Sequence, residues 1–88
     1  MTHLIREHST HVRTPDGRRY VARSFGKPEP DGVWTGWLEF APVDTSGPVL
    51  RTDRETSQAS REALESWALG LEPAYFEGAF ARARLVEE

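Results

Sequence analysis

Eighty-eight residues hold one domain with one core, and a chain that is 38% apolar and 28% charged has the composition of a globular protein. The absence of cysteine excludes disulfides, thiol nucleophiles and thiolate metal sites, and no apolar run reaches the ~18 residues that span a bilayer. The formal net charge of −3 is unevenly spread: residues 1–27 carry +4, residues 28–50 carry −4 and residues 51–88 carry −3. An acidic whole argues against a general nucleic-acid binder, while the basic first third leaves room for a local anionic partner. No signal-like apolar stretch follows Met1, so the expectation is a cytoplasmic protein without a membrane partner.

Two turns organise the first half. Thr14-Pro15-Asp16-Gly17 and Glu29-Pro30-Asp31-Gly32 both read x-Pro-Asp-Gly. Proline presets φ, aspartate bonds locally, and glycine accepts the left-handed conformation that closes a hairpin. The first turn sets Arg13 opposite Arg19, Val12 opposite Tyr20 and His11 opposite Val21. The second sets Phe25 opposite Trp37, Ser24 opposite Leu38, Arg23 opposite Glu39 and Ala22 opposite Phe40. Because strand side chains alternate, the two registers agree. One face collects Val12, Tyr20, Ala22, Leu38 and Phe40; the other collects His11, Arg13, Arg19, Val21, Arg23, Phe25, Trp37 and Glu39. Pro28 cannot donate to a ladder, so the second hairpin is expected to open near its tip.

A loop of turn formers over 42–48, including Asp44, Thr45, Ser46 and Gly47, precedes a fourth strand over 49–52. Setting Leu50 beside Phe40 places Arg51 beside Glu39. Helical periodicity then takes over: Ser60, Ala63, Leu64, Trp67, Ala68 and Leu71 form one apolar stripe, and Phe76, Ala79, Phe80 and Ala83 form a second. Gly70 suits a left-handed helix end, Pro73 the first turn of the next helix, and Arg82 and Arg84 its C-terminal end. The fold class expected is α+β: a single domain over 1–88, with a four-stranded antiparallel meander over 8–53 packed on one face by a helical hairpin over 57–86. Its core is Val12, Tyr20, Leu38, Phe40, Leu50, Leu64, Trp67, Leu71, Phe76 and Phe80. Residues 1–7 and 85–88 are expected to fray.

Two helices cover one face of such a sheet, so Phe25, Trp37, Val21 and Val49 should stand exposed among arginines on the other. Aromatics with arginine are the composition of interface hot spots. The leading expectation is a non-catalytic module that forms a homodimer or binds a protein partner through Arg13, Arg19, Arg23, Phe25, Trp37, Glu39 and Arg51. Single-stranded nucleic acid stacking on the same aromatics is the alternative.

The run over 51–58 is dense in hydrogen-bonding side chains. Thr52-x-x-Glu55 fits a capping box, and Thr56, Ser57 or Ser60 could also cap the first helix. A functional version holds a small anion or a peptide with Arg51, Arg54, Thr56 and Ser57 at that helix N-terminus, and a small enzyme would use the same junction. No catalytic residue, cofactor or metal is assigned: Gly-x-Ser-x-Gly and His-Glu-x-x-His are absent, and His3, His8 and His11 match no zinc spacing.

The stretch over 34–83, with Trp34-Thr35-Gly36-Trp37-Leu38-Glu39-Phe40, then Leu50-Arg51-Thr52-Asp53-Arg54-Glu55-Thr56-Ser57-Gln58, then Trp67-Ala68-x-Gly70-Leu71, resembles small bacterial proteins of uncharacterised function. Asp16-Gly17-x-x-Tyr20-Val21 and Thr56-x-x-x-x-x-x-Ala63-Leu64 are also similar to the strand and helix openings of the HicB-type antitoxin domain. That likeness implies a small sheet followed by a helix, and an antitoxin-like regulatory role.

Overall fold

A computed structural model describes residues 1–44 and 47–86. It is α+β, with an antiparallel sheet and two helices that follow most of the sheet in sequence. Strands β1 (His3–Arg13), β2 (Arg19–Pro28) and β3 (Trp34–Pro42) form the meander, followed by β4 (Leu50–Arg51) and β5 (Thr56–Gln58). Helices α1 (Arg61–Leu69) and α2 (Pro73–Arg82) come next, then β6 (Arg84–Leu85). The sheet order is β1-β2-β3-β4-β6, with β5 pairing the other end of β3. Among the described residues the sheet therefore has six strands rather than the four expected. The added two are three and two residues long, too short to show a period of their own.

Both turns form as their chemistry dictates. Gly17 and Gly32 hold φ of 90° and 88°, and each donates its N–H to the first turn residue, Thr14 or Glu29, at 2.9 Å. The register runs through Phe25↔Trp37 and Arg23↔Glu39 to Phe40↔Leu50 and Glu39↔Arg51, as the sequence predicts. The second hairpin does not open at its tip. The Glu29 N–H donates to the Val33 carbonyl at 2.7 Å, so Pro28, opposite Trp34, occupies the neighbouring pair of the ladder. Antiparallel pairing alternates, and at that position no N–H is needed toward β3.

The sheet begins earlier than expected, because His3 to Glu7 belong to β1 rather than to a frayed end. Between the pairs Glu7↔Arg23 and His11↔Val21, β1 advances four residues while β2 advances two. This bulge bends the strand and carries its first half along the sheet. At the other terminus Leu85 is in β6, and residues 87 and 88 lie outside the described residues, as do Thr45 and Ser46 of the loop after β3.

The helices are shorter than the span over 57–86. Ser60 is the α1 N-cap, with its Oγ accepting from the Ala63 N–H at 3.1 Å. Gly70 ends α1 in the right-handed region, φ −85°, not the left-handed one. Pro73 opens α2 as expected, and Ala83 leaves the helix in extended backbone, so Arg84 sits on a strand instead of the helix end.

The apolar face is buried as predicted: Val12, Tyr20, Ala22, Leu38 and Phe40 join Phe76 and Ala79 in one cluster, with Leu50, Trp67, Leu71 and Phe80 packed against it. Phe80 meets Tyr20 at 4.9 Å and Phe40 edge-on at 5.2 Å between ring centroids. Under α1 the sheet is thinned by a cross-strand glycine pair, Gly26↔Gly36. Leu64 fills the notch: a Cβ on Gly26 would lie 2.3 Å from one Leu64 methyl, and a Cβ on Gly36 2.6 Å from the other.

Candidate functional site on the open face of the sheet

The helix-free face carries the second set of alternating residues. Register alone aligns Glu7, Arg23, Glu39, Arg51 and Arg84 in one row across β1, β2, β3, β4 and β6. Within the row Arg23 Nε donates to Glu7 at 3.0 Å, and Glu39 accepts from the Trp37 indole N–H at 3.2 Å. Beside it runs an apolar row of Leu4, Phe25 and Trp37, with the last two rings stacked at 6.4 Å. Arg13 and Arg19 face each other at the far end of the hairpin.

The seven residues assigned to this face thus share it, but Trp37 is not exposed. It is only 4% accessible, and Phe25 and Val21 are half-buried, while Val49 is exposed as expected. Among the described residues no helix covers the indole. Arg51 does, with its guanidinium carbon 4.5 Å from the ring centroid. Stacked on an aromatic face, a guanidinium excludes water from the ring and keeps its own edge hydrated.

Next to the covered indole lies an open groove of about 800 Å³, lined by Lys27, Trp37, Arg51, Asp53, Arg54 and Arg84 among others. Lys27 is 3.9 Å from Glu29, and Arg84 donates to both Asp53 oxygens at 2.8 Å. Arg54 also lines a second concavity of about 460 Å³ with Ser57 and Glu29.

The run over 51–58 is not a helix N-terminus. Thr52 is buried and bonds Leu38 through its N–H at 2.9 Å, while its Oγ1 accepts from the Leu38 N–H at 3.0 Å. The Glu55 N–H donates to the Gly36 carbonyl at 2.8 Å, and Thr56 pairs with Gly36. The edge chain therefore advances four residues where β3 advances two, which pushes Asp53 and Arg54 out of the ladder. Arg51 and Arg54 line the same groove, and Arg54 shares the second concavity with Ser57. Thr56 does not join them; its methyl lies in the notch beside Leu64, and Gln58 donates to its hydroxyl.

Three polar clusters have no counterpart in the sequence reading. The Glu55 carboxylate, only 8% accessible, accepts from the Tyr75 hydroxyl and from Arg82 and so ties α2 to the edge chain. Burial first, and then Glu55, push the Tyr75 phenol up to about 12. His8 is buried on the helix side, 2.6 Å from the Ser24 hydroxyl and 4.7 Å from the Phe76 ring. Burial first, and then Arg6, lower its pKa. His3 lies at the sheet's end with Trp34 and Arg61, and His11 is exposed on the open face, so the three histidines are dispersed. The alternation that the first hairpin sets along β1 predicts His8 and His11 on opposite faces, as found.

No helix among the described residues is long and apolar enough to cross a membrane. No family model matches the chain, and neither a curated protein nor a solved structure shows a significant match to it.

Proposed function

We propose that this protein is a non-catalytic self-associating module, in which two copies pair face to face across the helix-free side of the sheet. One observation carries the reading. Glu7, Arg23, Glu39 and Arg51 alternate in sign across four adjacent strands, so the row is antisymmetric about its midpoint. A twofold axis running along the strands between β2 and β3 sets Arg23 over Glu39 of the second copy, and Glu7 over Arg51 of the second copy. Each of these four charges then meets its opposite, which is the self-complementarity an isologous interface requires. The same axis brings the half-buried Phe25 over the Arg51-capped Trp37 of the second copy, beside the charged row. Ser24, the serine held by a histidine, is fully buried and out of a substrate's reach, which supports the non-catalytic part of the reading.

Sedimentation equilibrium tests the pairing. The parent should dimerise with concentration. R23E should weaken the dimer by about tenfold or more, because it sets carboxylate against carboxylate. R23E/E39R, which reverses both members of each cross-copy pair, should restore it. A parent that stays monomeric at high concentration overturns the reading, as does a double swap that leaves R23E unrescued.

A further inference from the structure

We infer that the groove beside Trp37 is a docking site for an extended acidic peptide segment, with Arg51 and Arg54 contacting its carboxylates. Four cations line the groove, but two are already answered: Lys27 by Glu29, and Arg84 by both oxygens of Asp53. Among the described residues the Arg51 guanidinium is held against an indole face alone, which leaves the edge of its fork to a ligand. Arg54 has no hydrogen-bond or ion-pair partner among the described residues, and the bulge after Thr52 projects it over the same groove. Two unanswered forks match two carboxylates, each bidentately. The groove is open and mostly polar, whereas pockets for small molecules enclose their ligands in apolar walls. The net charge of −3 repels a long phosphate backbone more than a short acidic segment, because the repulsion grows with the charge of the ligand.

Arg54 and Lys27 lie outside the charge row proposed to pair two copies, whereas Arg51 belongs to both. An acidic segment therefore competes with a second copy for Arg51, and its binding should shift the chain toward monomer.

Fluorescence anisotropy on the full chain tests this, with labelled hexaglutamate, hexaglutamine and a short oligothymidylate as parallel probes. Hexaglutamate should bind, more weakly as salt rises, and hexaglutamine should not. R54A should weaken hexaglutamate binding by about tenfold, and R13A, at the far end of the same face, should leave it unchanged. R23E should bind hexaglutamate at least as well as the parent. Binding by R23E, or by a parent that proves monomeric, keeps the groove independent of the pairing. Equal affinity for the two peptides, R54A binding like the parent, R13A as damaging as R54A, or oligothymidylate outcompeting hexaglutamate would each overturn the inference; the last would make the groove a nucleic-acid site.

Discussion

The two faces of the sheet bury aromatic rings by different means. On the helix side, Phe40 and Phe76 are enclosed by side chains from the sheet and both helices and lose essentially all contact with water. On the open side, Trp37 is nearly as inaccessible, yet its cover is one arginine from a two-residue strand and a neighbouring phenylalanine. Burial on the first face is a packing property, shared among many contacts and costly to disturb. On the second it rests on a long charged side chain that can swing away, so equal accessibility conceals unequal stability.

Truncation should expose that inequality most clearly. Phe76→Ala should cost about 3–5 kcal/mol, because the cavity it leaves is closed. Trp37→Ala should cost about 2 kcal/mol or less, because water fills the space. Arg51→Ala should cost about 1 kcal/mol or less, the usual value of an exposed cation–π contact. Urea midpoints at constant m-value give all three, and a Trp37→Ala as damaging as Phe76→Ala would erase the distinction. The glycine notch sharpens it on the helix side. Gly36→Ala should cost about 1–3 kcal/mol by overpacking against Leu64, and most of that cost should vanish in the Leu64→Ala background, where the methyls are gone. A double-mutant cycle with additive energies would show that Leu64 does not use the notch.

The smallest effect is a dependence on pH, again confined to the helix side. The His8 pKa is lowered in the fold, so below its ordinary value near 6.5 the unfolded chain binds more protons, and stability falls as pH falls through that window. His8→Gln should flatten the slope of chemical-denaturation stability between about pH 7 and pH 5.

What the sequence revealed follows the range of the interactions involved. The hairpins and their registers were legible because proline, aspartate and glycine act within four residues, and the alternation of Phe25, Trp37 and Glu39 then needs no further information. The bulge in β1 has no residue signature, since no proline or glycine lies between Glu7 and His11 to mark it. Thr56 and Ser57 read as helix caps because serine and threonine serve caps and edge strands equally, and only pairing with Gly36 and Thr35 decides between them. On the candidate site, the shared face of Arg23, Phe25, Trp37 and Glu39 was visible from alternation. The burial of Trp37 was not, because it depends on where Arg51 lays its side chain. Nor was the separation of Thr56 from Arg54, which follows from the extra residues after Thr52.

Those extra residues are fastened at both ends. Thr52 grips Leu38 with backbone and hydroxyl, and Glu55 grips Gly36 while its carboxylate is clamped by Tyr75 and Arg82. Asp53 and Arg54 therefore span two rivets, Asp53 tied to Arg84 and Arg54 like a link that can be exchanged without unzipping the edge. A lineage, or an engineer, could rewrite what this corner of the molecule displays and leave the rest of the architecture untouched.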